Sequence, residues 1–192
     1  AVLTQYNARS LNEHLSSSKW WDFGRKQGGM FLFTPTVTAE NSDWYRGTAD
    51  AMYQNIDFLK RRHEPYVIIS SGDCVYKMDY NKVLDYHIAK KADITVVCKD
   101  MPADANINRF GVVRMNEDSR IVEFEEKPII AQSNTISTGV YVIRRRQLIE
   151  ILEKSAEENR FDFVADVLIR YKNIKRIYGY KMKEYWSNIA SV

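Results

Sequence analysis

The apolar residues fall into short uninterrupted runs and into repeats of three and four, and the two patterns alternate along the chain. Val67-Ile68-Ile69 is an apolar run of the length of one buried strand, and Ile94 to Cys98 is another. Alternating runs cover Gly111 to Met115 and Ile121 to Glu125, and Asn116-Glu117-Asp118-Ser119 between them is hairpin chemistry. Ser137-Thr138-Gly139 precedes a strand from Val140 to Ile143, Val2-Leu3 is the remainder of a strand, and a last strand lies near Ile174 to Tyr180.

The helical repeats lie between these runs. Asn7 opens a segment with Leu11 and Leu15 four apart. In residues 44 to 62, Ala49, Met52, Tyr53, Ile56 and Leu59 line one face, Thr48 is the expected N-cap, and Lys60 to Arg62 occupy the last turn. Asp79 caps a helix that pairs Val83 with His87 and Leu84 with Ile88, and His87 is expected to be half-buried there. Amphipathic helices follow over about 146 to 158 and, after Asp162, over 163 to 171. Residues 18 to 43 have no period: Trp20, Trp21, Phe23, Gly28, Gly29, Phe31 and Phe33 mix aromatics with glycines, which reads as a loop or irregular hairpin. The pattern predicts one three-layer α/β domain over 1–192 with a mixed, mainly parallel sheet, cut at both ends because the chain starts at AVLTQY without Met and stops at YWSNIASV.

Composition narrows the class without changing it. With 192 residues, 45% of them hydrophobic, the chain can bury one substantial core. A net charge of +3 from 28 basic and 25 acidic residues is too balanced for a nucleic-acid surface, and Arg144-Arg145-Arg146 reads as a solvated strand end. No apolar run approaches the roughly 18 residues of a membrane span. Cys74 and Cys98 follow strand-like runs without zinc spacing and read as reduced thiols of a cytoplasmic protein.

Three places carry candidate chemistry. The run ending at Ile69 is followed by Ser70, Ser71 and Gly72 and then by Asp73, so a strand delivers a carboxylate to its own end, where it suits a metal or phosphate site or, equally, a turn cap. Gly47-Thr48 opens a helix where free N–H groups meet anions, with Arg46 beside it; the alternative is an ordinary helix start. Pro128 ends the second hairpin strand after Glu126, leaving Lys127 at its tip as a point charge for phosphate or as a plain surface lysine.

Six motifs in one order, WYRGTADA, SGD at 71 to 73, FGV at 110 to 112, EFEEKP at 123 to 128, STGVYV at 137 to 142 and YW at 185 to 186, resemble those of the ADP-glucose pyrophosphorylases, the glucose-1-phosphate adenylyltransferases of bacterial glycogen synthesis. The resemblance implies a Rossmann-like sugar-nucleotidyltransferase domain, with a Gly-rich nucleotide loop upstream of Ala1, a β-helix domain downstream and a tetrameric assembly. It implies that Gln5, Arg46, Gly47 and Thr48 line the nucleotide side. It gives Asp73 the Mg²⁺ that accompanies ATP, Glu126, Thr138 and Gly139 the glucose, and Lys127 the phosphate of glucose 1-phosphate. Asp73 and Lys127 are then the catalytic pair, and ADP-glucose the product.

Two departures qualify it. Active members of that family have His where this chain has Cys74, and YWRDVGT where this chain has YWSNIAS, so Asn188 stands in place of a second metal carboxylate. These resemble the GlgD-type subunit, regulatory or weakly catalytic beside a GlgC-type partner in a hetero-oligomer. A fully active adenylyltransferase and a non-catalytic sugar-nucleotide scaffold are the alternative readings.

Overall fold

A computed structural model describes residues 1–16, 29–36 and 44–189; Trp20, Trp21, Phe23 and Gly28 lie outside the described residues. The strands among the described residues are β1 (Val2–Leu3), β2 (Leu32–Phe33), β3 (Tyr66–Ser70), β4 (Cys74–Tyr76), β5 (Ile94–Asp100), β6 (Gly111–Met115), β7 (Ile121–Glu126), β8 (Thr135–Arg144), β9 (Ile177–Lys181) and β10 (Trp186–Asn188). The helices are α1 (Ala8–Leu15), α2 (Thr48–Gln54), α3 (Ile56–Lys60), α4 (Tyr80–Ala89), α5 (Arg145–Glu157) and α6 (Phe163–Ile169), the last wound as a π-helix.

The expected three layers form because the apolar residues of the sheet alternate between its faces. One face buries Ile94, Val96, Phe124 and Ile143 under Ala49 of α2, Leu148 and Leu152 of α5 and Phe163 and Val167 of α6. The other buries Val97, Val112, Ile136 and Val142 against Val83 of α4, Met182 and Trp186. Asp79 caps α4 by accepting from the Asn81 N–H, and Asp162 caps α6 by accepting from Val164 and Ala165. His87 is fully buried rather than half-buried, its Nδ1 2.8 Å from Thr95 Oγ1.

The sheet is mixed, but its directions differ from those expected. Among the described residues of the main sheet, β5 runs parallel to β9, whereas β3, β5 and β6 all run antiparallel to β8, and β7 antiparallel to β6. Runs of apolar residues report burial on both faces and carry no direction, so they do not reveal that β8 returns between its neighbours. β1 and β2 form a separate parallel pair, and β4 and β10 an antiparallel ribbon.

Two element boundaries also differ. The helix expected over 44 to 62 breaks at Asn55, whose side-chain amide donates to the Ala51 carbonyl and to the Tyr45 hydroxyl. Ser137 to Gly139 belong to β8 rather than preceding it, because β8 continues through a bulge opposite Val97 in which Gly139 takes φ +76°.

β8 changes partner on one side, and this places the site. Val140 to Arg144 pair with β3, whereas Ile136 pairs with Val112 of β6. β3 ends at Ser70 and β6 begins at Gly111 on the same flank of β8, leaving Ser137–Gly139 at a break between them.

Candidate functional site

Asp73 lies just beyond β3, at one side of that break, and is braced by its neighbours. Its carboxylate accepts hydrogen bonds from Ser71 Oγ, from Cys74 Sγ at 3.2 Å and from Asn188 Nδ2 at 3.0 Å. Asn188 arrives because β10 pairs with β4 in a register that sets Asn188 opposite Cys74, and the Ile189 N–H donates to the Asp73 carbonyl at 2.8 Å. Partial burial alone would raise the Asp73 carboxyl; the hydrogen bonds from Ser71, Cys74 and Asn188 outweigh it and hold the group below the ordinary aspartate value. Burial, reinforced by the adjacent Asp73 carboxylate, pushes the Cys74 thiol up to about 11, so it is protonated at neutral pH and is a donor rather than a nucleophile.

Glu126 and Lys127 occupy the opposite side. Glu126 pairs with Gly111, the first residue of β6, and β7 runs antiparallel to β6, so the carboxyl end of β7 faces the carboxyl end of β3 across the break. Asp73 and Lys127 therefore follow the carboxyl ends of two opposed strands, on either side of the break. Lys127 sits in the left-handed region at φ +49°, with its N–H donating to the Phe110 carbonyl at 3.1 Å and its ammonium 3.5 Å from Glu126 Oε1. Partial burial pushes the Glu126 carboxyl above its usual value; Lys127 opposes that rise and Asp162 adds to it. Gly111 is required here, since a Cβ would come within 2.8 Å of Phe124 and 3.2 Å of Glu126.

Gly139 lies on the floor of the break. Its carbonyl accepts the Ser71 N–H at 2.9 Å, and a Cβ on Gly139 would meet Ser71 Cβ at 2.9 Å. Thr138 is turned inward: its hydroxyl donates to the Val97 carbonyl at 2.9 Å in the buried core. Only its backbone carbonyl faces the site, accepting from Cys74 Sγ at 3.7 Å.

The residues expected on the nucleotide side form a self-contained clamp. Gln5 exchanges two hydrogen bonds with the Tyr45 backbone, at 2.6 and 3.3 Å. At the N-terminus of α2 two of the N–H groups are already taken, because Ala49 and Asp50 both donate to the Phe161 carbonyl, at 2.8 and 3.1 Å. Thr48 is the first helical residue rather than the N-cap; Gly47 holds the cap position, and Thr48 Oγ1 accepts from the Phe163 N–H at 2.9 Å. Arg46 stacks its guanidinium 3.8 Å from the Phe161 ring centroid and lies 3.6 Å from the Asp50 carboxylate. The chain segment at 161–163 that organises this corner is distant in sequence, so a local RGT triplet gives no sign of it.

Among the described residues, no group of three or more His, Cys, Asp or Glu side chains comes together to hold a metal ion. A divalent cation at Asp73 finds one carboxylate, and Asn188 contributes its amide oxygen only by turning over, since Nδ2 now faces Asp73. The donor set suits a hard cation held weakly. Sequence reasoning missed Ser71 as a partner of Asp73, and it missed Asp162 and Tyr141 near Glu126, which influence its surroundings across separations too long for any local pattern. Among the described residues no helix is long and apolar enough to cross a membrane.

A profile of nucleotidyl transferases matches residues 1–192. The chain is similar to the glucose-1-phosphate adenylyltransferase of Thermosipho melanesiensis, with 40% identity over 193 residues that cover 100% of this chain and 47% of that protein. Enzymes of the same name from Lachnospira eligens and Bacillus cytotoxicus are each 41% identical over the whole chain, with 45% and 51% of their own lengths covered. The chain thus spans about half the length of the curated relatives it matches.

Proposed function

The chain belongs to the nucleotidyl transferase family, and from that premise we propose that it is part of a glucose-1-phosphate adenylyltransferase making ADP-glucose and pyrophosphate from ATP and glucose 1-phosphate. It serves as a GlgD-type subunit, weakly catalytic or regulatory, in a cytoplasmic hetero-oligomer, a tetramer, with a GlgC-type catalytic partner. The observation that carries this reading is the Asn188 amide resting on Asp73 at 3.0 Å. It puts a neutral side chain where a second carboxylate would complete a metal site.

In the reaction a phosphate oxygen of glucose 1-phosphate attacks the α-phosphorus of ATP, the bond to the β-phosphate oxygen breaks, and pyrophosphate leaves with that electron pair. The protein's task is to bring two anions together in line and to offset their charge. Lys127 meets the phosphate of glucose 1-phosphate from the β7 side, and Glu126 beside it accepts from a glucose hydroxyl. Gly139, whose missing side chain leaves room for Ser71, brings the backbone of β8 to the sugar. Asp73, held below the ordinary aspartate value by Ser71, Cys74 and Asn188, would be the anionic ligand for Mg²⁺, and Asn188 would add an uncharged oxygen only by turning its amide over. Bound there, Mg²⁺ would neutralise charge on the ATP phosphates. The clamp of Gln5, Arg46, Gly47 and Thr48 shapes the nucleotide side, with Arg46 as its cation.

The test is formation of ADP-glucose and pyrophosphate by the full-length protein, alone and mixed with a GlgC-type subunit, at saturating Mg²⁺. Slow turnover alone with strong activation in the mixture supports the reading. Full turnover alone favours a competent enzyme, and absence of both turnover and activation favours a scaffold.

A further inference from the structure

We propose that Ser71 is a positioning residue that ties the Gly139 bulge to Asp73, so that the sugar side and the metal side of the break are held by one side chain. Three observations converge on it. The Ser71 hydroxyl donates to Asp73 Oδ1. The Ser71 N–H donates to the Gly139 carbonyl at 2.9 Å, extending the β3–β8 pairing by one bond past Ser70. The Ser71 Cβ fills the space a side chain on Gly139 would need, 2.9 Å from that Cβ position.

The bulge and the carboxylate therefore share one support. A residue at the end of a strand is free to swing unless something beyond the ladder holds it, and here the last ladder bond and the hydroxyl are on the same residue. Gly139 at φ +76° sets where the β8 carbonyl points, that carbonyl holds the Ser71 N–H, and the Ser71 hydroxyl holds Oδ1 of Asp73 while Asn188 holds Oδ2. Groups that orient a metal-binding carboxylate through a hydrogen bond commonly change metal affinity by about 10- to 100-fold when removed.

This inference rests on the proposed role of Asp73 toward a divalent ion, and the experiment separates the two. Mn²⁺ binding to the full-length protein, read from the electron paramagnetic resonance signal of free Mn²⁺, is compared for the parent, Ser71→Ala, Ser71→Thr and Gly139→Ala. The expected result is about tenfold weaker Mn²⁺ binding in Ser71→Ala, at the low end of that range, with an unchanged melting temperature. Ser71→Thr, which keeps the hydroxyl, should return to within about twofold of the parent. Gly139→Ala should weaken Mn²⁺ binding as well, because its new Cβ displaces Ser71. Equal Mn²⁺ affinity in the parent and Ser71→Ala overturns the role of Ser71 while leaving Asp73 in place. A parent that binds no Mn²⁺ overturns the reading of Asp73 and the role of Ser71 with it.

Discussion

Replacing Gly47 by alanine tests how the corner between α2 and α6 is built. Its backbone is extended, with φ 175°, so a side chain costs nothing in local conformation. The obstacle is packing: a Cβ would lie 2.4 Å from the Phe161 carbonyl oxygen and 2.7 Å from its carbon, both backbone atoms that cannot rotate away. That same oxygen receives the Ala49 and Asp50 N–H groups, and the Phe161 ring carries the Arg46 guanidinium. Relief by moving Phe161 would strain both hydrogen bonds. Overpacking of this kind costs about 1–3 kcal/mol and each weakened hydrogen bond about 1 kcal/mol, so a loss of about 3 kcal/mol is expected. Gly72→Ala is the control, since nothing lies within 4 Å of a Cβ there, and a change within about 0.5 kcal/mol is expected. Equilibrium urea unfolding of both variants, read as a shift in midpoint at constant slope, gives the comparison. If Gly47→Ala unfolds at the same urea concentration as Gly72→Ala, the close approach of Phe161 to α2 is wrong.

Two further outcomes follow from other parts of the molecule. Lys127→Gln should weaken glucose 1-phosphate binding by about 1.5–3 kcal/mol, the worth of a charge-assisted contact, and calorimetry with unchanged affinity would remove Lys127 from the site. Burial, aided by the Arg144 charge, holds the His87 imidazole down to about 4, below its ordinary 6.5, so the folded state binds fewer protons than the unfolded chain across that interval. The stability His87 contributes is complete above pH 6.5 and is lost as pH falls toward 4. Urea midpoints at pH 7 and pH 5 should diverge more in the parent than in His87→Gln; equal divergence would contradict the assignment.

Much of this was legible in the sequence because it is local. The β6–β7 hairpin, the Asp79 cap, the helix that starts after Asp162 and the carboxylate delivered at the end of β3 each follow from a few adjacent residues. The family resemblance, not any local pattern, linked Asp73 with position 188, and the β4–β10 register sets Asn188 opposite Cys74, next to Asp73. What stayed hidden depends on contacts between distant segments. The direction of β8 is set by which strands flank it, its continuation through Gly139 by a bulge opposite Val97, and the occupied N-terminus of α2 by a carbonyl more than a hundred residues away at Phe161. The resemblance assigns Thr138 to the sugar, and no local pattern shows that its hydroxyl donates to the Val97 carbonyl at the bulge of β8.

The central claim is that the amide at position 188 limits this subunit, and the most direct measurement is ADP-glucose formation by full-length Asn188→Asp at saturating Mg²⁺, alone and combined with Cys74→His. The single change adds a negative charge 3.0 Å from Asp73, which repels it without a cation and draws a cation when one is present. The account predicts a gain of at least about tenfold in turnover, about 1.4 kcal/mol of barrier, with activation by a GlgC-type partner retained. A double variant as slow as the parent would contradict it and place the defect outside the Asp73–Asn188 pair.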